Sequence, residues 1–290
     1  MNTVTIGVLH PGDMGAAVAR QLSTRGHEVL YASIGRSRDT RGRAEWAGMT
    51  DASTVAALAK DSEIVLSICP PHAARYVATE VAGVASGFSG TYVDANAVSP
   101  ATTREIGAII ESGGGRMVDG GIVGGPPERA GTTRLYVSGA HVDTVLAVFE
   151  GSALEVVPVG TDVGRASALK MCYAAWTKGT SALLLGIRAV AASEGVDGAL
   201  LAEWERSQPA LPQRSNSAAR AAHDKGWRWR GEMDEIAATF AAAGLPGGFH
   251  QAAADIYARS PRPDGTSDSD EPLEQMLTAL LGPSSATDRT

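Results

Sequence analysis

Cysteine is nearly absent from this chain: Cys69 and Cys172 are the only two among 290 residues. Two thiols build no disulfide framework, and the simple reading is a reducing cytoplasm. Positive charge is also short, with 25 Lys and Arg against 32 Asp and Glu and a net charge of -7. That balance argues against nucleic acid or an anionic membrane as the main partner. No run reaches the roughly 18 uninterrupted apolar residues of a membrane span. No basic segment followed by an apolar one precedes the first strand pattern, so no signal peptide is expected. His10, His72, His141 and His223 are scattered without ligand spacing, so no metal is expected. What remains is the composition of a soluble globular protein, 44% hydrophobic and 20% charged. At 290 residues it forms one large or two medium domains.

The first 160 residues alternate two periodicities. "TVTIGVL" (3–9), "HEVLYAS" (27–33), "EIVLSIC" (63–69) and "GTYVDAN" (90–96) are short, apolar and β-branched, which predicts buried strands. Between them, helical spacing appears at 13–24, 37–48 and 53–60, and "PATTREIGAIIES" (100–112) continues it. Alternation of this kind demands a mostly parallel, doubly wound sheet with helices on both faces. "RMVDGGIVGG", "TRLYVSG" and "LEVVPVG" add further strands. Beyond Asp162 the pattern becomes helical throughout, opening with one long proline-free run over 163–195. The expected organisation is α/β over 1–161, all-α over 162–282 and a flexible tail at 283–290, with a polar loop near 261–272.

The first strand runs into "HPGDMG", residues 10–15. A G-x-G-x-x-G turn between strand and helix is the fingerprint of a Rossmann dinucleotide site. Here Gly12 and Gly15 hold the second and third glycine positions, and His10 replaces the first. Gly12 would let the backbone approach a pyrophosphate, and Gly15 would let the helix pack on the strand. Pro11 can stiffen the turn that the missing glycine usually makes. The competing reading is a plain βα turn with incidental glycines. His10, Pro11, Gly12, Asp13, Met14 and Gly15 are therefore candidate cofactor contacts.

The end of the second strand sorts the coenzymes. NAD binders place a carboxylate there for the ribose 2′-hydroxyl. This chain has Ser33-Ile34-Gly35-Arg36-Ser37-Arg38 instead. Arg36 can pair with a 2′-phosphate, with Ser33 and Ser37 as hydroxyl donors, so the expected cofactor is NADP. Arg38, Arg41 and Arg43 read as a solvated helix face. Cys69 and Pro70, ending the third apolar strand, lie where the cofactor should pass.

Four segments in order resemble the β-hydroxyacid dehydrogenase and 6-phosphogluconate dehydrogenase superfamily. They are "IGVLHPGDMG", "YVDANAVSPATTREI" (92–106), "VDGGIVGG" (118–125) and "GRASALKMCYAAW" (164–176). Within it, the chain resembles a subgroup of phosphogluconate dehydrogenase-like proteins with a distinctive C-terminal domain. The resemblance implies hydride transfer between a nicotinamide and a carbinol or carbonyl carbon of a small 3-hydroxy-acid-like substrate. It places Asn96 beside the nicotinamide and substrate, Val123, Gly124 and Gly125 in the substrate loop, and the catalytic lysine at Lys170. It implies a homodimer through the helical domain. A lysine packed among apolar residues can have its pKa lowered toward neutrality and so relay the proton.

Departures from the family pattern shape the rest. Tyr173 and Ala174 stand where two asparagines follow the lysine, and Tyr173 is the available substitute. Val123 replaces a serine, and a second family lysine falls on Gly231, so a less polar substrate than a phosphorylated sugar acid is expected. Trp176, Trp204 and His250 either line that pocket or are ordinary packing residues. Lys178 reads as surface. Two rival functions stay open: an imine reductase on the same scaffold, and a noncatalytic NADP-binding protein.

Overall fold

The computed structural model describes residues 3–85, 87–261 and 271–282. The tail expected at 283–290 lies outside the described residues, as does most of the loop expected at 261–272. The chain forms two compact units, Met1–Met171 and Cys172–Thr290.

Among its described residues the first unit contains eight strands and six α-helices, with the opening of a seventh. In chain order they are β1 (Thr5–Val8), α1 (Asp13–Ser23), β2 (Glu28–Tyr31), α2 (Arg38–Trp46), β3 (Thr50–Asp51), α3 (Val55–Asp61) and β4 (Ile64–Ser67). Then come α4 (Ala74–Ala82), β5 (Thr91–Asp94), α5 (Pro100–Ser112), β6 (Arg116–Val123), β7 (Thr133–Ser138), α6 (Val142–Phe149) and β8 (Leu154–Pro158). Sheet order is β3-β2-β1-β4-β5-β6-β7-β8. All neighbours are parallel except β6 and β7, which run antiparallel with Gly121 opposite Tyr136. This is the doubly wound arrangement that the alternation demands.

Strand periodicity builds the two layers. Ile6, Val8, Ile64, Leu66, Val93 and Val118 point into one apolar cluster. Leu9, Val65, Tyr92 and Met117 point into the other, against α3, α4 and α5. Each helix start has a local cause. Ser37, Thr54 and Ser99 accept hydrogen bonds from Thr40, Ala57 and Thr102 backbone N–H groups, capping α2, α3 and α5. Gly26, at φ +87°, turns the chain after α1. Three elements have weak sequence signals: β3 is two exposed residues, α4 follows a single 3-10 turn at Pro71–Ala73, and α6 is apolar nearly throughout.

The second unit is helical. It contains most of α7 (Arg165–Ser193), then α8 (Asp197–Ser207), α9 (Leu211–Ala242), α10 (Gly248–Ala258) and α11 (Pro272–Leu281). Buried Arg188 of α7 clamps Asp197 through Nε and Nη2 at 2.6 and 2.9 Å and reaches Ser215 of α9 at 2.8 Å. His223 of α9 meets Gln275 of α11 at 2.7 Å. Among the described residues no helix is long and apolar enough to cross a membrane.

Candidate cofactor and catalytic site

The opening turn has the shape of an anion cradle. Gly12 is the extended N-cap of α1, with no side chain capping the helix. A Cβ there would meet nothing within 4 Å. A first turn without a side-chain cap, approached over a glycine with open space beside it, fits a dinucleotide pyrophosphate. A Cβ at Gly15 would overlap the His10 carbonyl oxygen, so the helix can approach the strand only over glycine. His10 needs no glycine: among the described residues Ser53 is the one non-glycine with positive φ. Its carbonyl accepts from Gly12 N at 2.8 Å, closing the turn. Its imidazole is pushed down to about 4 by burial and by the nearby Arg36 cation.

Arg36 folds back across the strand ends. Its Nη2 donates to the Leu9 carbonyl at 3.2 Å and its Nε to the Ala32 carbonyl at 3.4 Å. Of its neighbours read as a helix face, Arg38 and Arg41 are indeed exposed, and only Arg43 needs correction. Arg41 donates to the Arg36 carbonyl at 3.1 and 3.2 Å, and Arg43 donates to the Pro11 carbonyl at 3.2 Å. Arg43 also stands 3.8 Å from the Asp13 carboxylate, offsetting a negative charge in the first turn of α1. Arg43 thus ties α2 to the cofactor turn.

A second correction concerns the end of β2. The linear sequence shows no carboxylate there, but pairing of β3 with β2 sets Asp51 opposite Tyr31. The Ser33 hydroxyl and the Ser53 N–H, at 2.7 Å, donate to Asp51 and hold its carboxyl below the usual range. Ser33 therefore already has an acceptor, and Ser37 caps α2.

At the ends of β4 and β5, Asn96 is buried. Its Oδ1 accepts from Cys69 N at 2.6 Å and its Nδ2 donates to Ser67 Oγ at 3.0 Å. The amide pins the Cys69-Pro70 turn to the sheet edge. Burial pushes the Cys69 thiol up to about 12, so it stays protonated.

The catalytic candidate depends on a residue whose role the sequence does not disclose. Asp119 of β6 is completely buried. Its Oδ2 accepts from Gly164 N, Ala166 N and Ser167 N at 2.8, 2.9 and 3.1 Å and from Ser138 Oγ at 2.9 Å. Its Oδ1 accepts from Ser167 Oγ at 2.6 Å. One carboxylate thereby caps α7 from across the sheet, where the helix dipole favours negative charge. Two residues on, a Cβ at Gly121 would come within 2.9 Å of Lys170 Cβ and 3.0 Å of the Ala166 carbonyl. The D-G-G run thus both grips α7 and lets it lie flat on β6. Lys170, in the second turn of α7, donates to the Ile122 carbonyl at 2.6 Å. The strand then leads into Val123, buried, and Gly124, whose φ of +115° excludes a side chain.

The remaining candidates belong to the helical unit. Tyr173 and Trp176 are exposed on α7, at 46% and 64%. Trp176 borders a groove of about 390 Å³ with Thr180, Gln213 and Arg214. Trp204 and His250 do not line that groove; both are buried. His250 packs against Phe240 and Phe249 at ring distances of 4.4 and 5.1 Å, and burial lowers its pKa. Lys178 is not a surface residue. It is mostly buried, ion-paired to Glu232 and 5.4 Å from the Trp229 ring. Glu232 follows Gly231, so only the packing of α9 on α7 reveals the pair.

Comparison with known proteins agrees with this layout. The family model of the NAD binding domain of 6-phosphogluconate dehydrogenase matches residues 5–160, and a domain of unknown function, DUF1932, matches 191–260. A probable mitochondrial 3-hydroxyisobutyrate dehydrogenase of Dictyostelium discoideum is 27% identical over 205 residues, 67% of this chain and 59% of that protein. The match thus spans less than two thirds of the relative. Among solved structures, a Mycobacterium tuberculosis 3-hydroxyisobutyrate dehydrogenase with L-serine has a TM-score of 0.70 at 19% identity, covering 97% of this chain and 100% of that one. A reductive aminase from Aspergillus terreus, with NADPH and ethyl levulinate, has a TM-score of 0.58 at 19% identity over 89% and 93% of the two chains. At such identities the two structures show a shared fold.

Proposed function

Because the chain belongs to the 6-phosphogluconate dehydrogenase NAD-binding family and carries a DUF1932 domain, we propose that it is an NADP-dependent oxidoreductase. Its substrate is a small 3-hydroxy-acid-like molecule, or the corresponding carbonyl compound, and Lys170 is its general acid and base. The β1–α1 turn would hold the pyrophosphate of a nicotinamide dinucleotide, whose ring would supply or accept the hydride. The observation that carries the reading is the fixed position of Lys170, 2.6 Å from the Ile122 carbonyl on a helix capped by Asp119.

Each residue has a defined task. The Ile122 carbonyl orients Lys170 Nζ, which as the ammonium gives a proton to a new alkoxide and as the neutral amine takes one from a hydroxyl. The Gly124 and Gly125 backbone N–H groups receive a substrate carboxylate. Val123 offers an apolar wall in place of a hydroxyl, favouring a substrate with few polar groups. Arg36 supports NADP over NAD as the fixed cation at the end of β2.

A second reading, reduction of a C=N bond, draws on the same Val123 wall and on the fold shared with the reductive aminase. Assays of NADPH consumption with β-keto acids and with cyclic imines separate the two. Lys170→Ala should lower turnover by about 10²- to 10⁴-fold while NADPH binding survives. Unchanged turnover refutes the role of the lysine. No turnover by the parent chain with any carbonyl or imine, despite tight NADPH binding, favours the noncatalytic reading.

We also propose a homodimer through the helical unit. Tyr173, Trp176, Leu183, Ile187 and Val190 recur at helical spacing along α7, each at least 36% exposed. A stripe of that length is the kind of surface that a second copy covers.

A further inference from the structure

The residue that breaks the fingerprint has unusual surroundings. His10 Nδ1 is buried and has no hydrogen-bond partner among the described residues. The neighbouring charge is the Arg36 guanidinium, held over the strand ends by the Leu9 and Ala32 carbonyls. A ring nitrogen without a partner beside a cation is a costly pair. Burial and the like charge both favour the neutral ring, which is pushed down to about 4. The other charged groups near the turn and the end of β2 do not relieve it: Asp51 is taken up by the Ser33 hydroxyl and the Ser53 N–H. Arg43 of α2 is turned to the Pro11 carbonyl and Asp13 of α1. The Cys69 thiol beyond β4, raised to about 12, carries no charge.

The end of β2 is where a Rossmann site meets the adenosine ribose. An NADP 2′-phosphate there would lie against Arg36 and therefore against His10. A dianion at that place reverses both unfavourable influences. It offers an acceptor to the imidazole, and its charge outweighs that of the guanidinium. We propose that His10 is a proton-linked ligand of the 2′-phosphate: NADP binding draws a proton from solvent onto the imidazole, and NAD binding draws none. The proposal rests on the NADP reading above. It gives the missing glycine a purpose, since the imidazolium exists only when the extra phosphate is present. By linkage, NADP binds more tightly as pH falls through the neutral range, to the extent that proton uptake is complete.

Calorimetric titration tests this without any assay of turnover. NADP and NAD are titrated into the full chain at neutral pH, in buffers of low and high ionisation enthalpy. The dependence of the observed heat on buffer gives the protons taken up. The parent chain should take up a large fraction of one proton with NADP and none with NAD. His10→Gln should bind NADP several-fold more weakly and without that uptake. His10→Gly, which restores the fingerprint, should bind both coenzymes with no uptake. Circular dichroism checks that both variants fold. Equal proton counts in the parent and His10→Gln overturn the proposal, because the phosphate or another group then titrates. If neither coenzyme binds, or NAD alone does, the NADP reading itself fails, an outcome distinct from binding without proton uptake.

Discussion

Removing the Asp119 carboxylate should loosen the start of α7 by an amount that its hydrogen bonds allow to be worked out. In Asp119→Ala, five donors lose their acceptor. Two of them keep another partner: Ala166 N has Ser138 Oγ at 3.1 Å, and Ser167 Oγ has Thr103 Oγ1 at 2.7 Å. The Ser138 hydroxyl can rotate. Gly164 N and Ser167 N are left stranded in a buried place, at about 1–3 kcal/mol each. The loss is therefore about 4 kcal/mol. In a unit of this size that lowers Tm by roughly 10 °C. Asp119→Asn should cost far less, about 1–2 kcal/mol. Its carbonyl can keep the four donors now on Oδ2, and Ser167 Oγ can reverse to accept from the new amide. Thermal unfolding of the three proteins, followed by calorimetry, measures the ladder. An alanine variant within about 0.5 kcal/mol of the parent, or an asparagine variant as unstable as the alanine one, would falsify the capping role. Turnover should follow the same order with NADP binding nearly unchanged, since Lys170 lies in the second turn of the loosened helix.

Three further outcomes follow from the same geometry. Gly121→Ala should cost about 1–3 kcal/mol by overpacking and impair turnover by displacing Lys170. Gly125→Ala, with nothing within 4 Å of its new methyl, should leave Tm unchanged; equal effects of the two would show that close approach of α7 to β6 is not what Gly121 permits. His10 is ordinarily half-protonated near 6.5 and is pushed to about 4 in the fold, so the unfolded chain binds more protons between those values. Stability should therefore be complete above pH 6.5 and decline toward pH 4, by at most about 3 kcal/mol from this residue. Denaturant midpoints across that range should flatten in His10→Gln, and identical slopes would contradict the assigned shift. Sedimentation should show a dimer that Val190→Asp combined with Leu183→Asp converts to monomer, and a parent chain that is monomeric at micromolar concentration removes the case for the α7 interface.

The local sequence by itself determined most of the secondary elements and their layering, and left out β3, α4 and α6, whose patterns carry little signal. Alternating apolar residues within strands send Ile6 and Leu9 to opposite faces, and caps such as Ser37 and Ser99 start helices through bonds to residues three positions away. The glycines of the opening turn and of the D-G-G run were legible for a similar reason: a missing side chain is visible in one dimension. Tertiary structure alone decided what those glycines approach and which charges meet. Asp51 reaches Ser33 only when β3 pairs with β2. Arg43 reaches Pro11 only when α2 packs beside the turn, and Lys178 finds Glu232 only when α9 lies along α7. Asp119 is the strongest instance, a strand carboxylate whose backbone donors lie 45 to 48 residues away. No periodicity encodes such pairs, because their energy depends on distance and burial after the chain has folded.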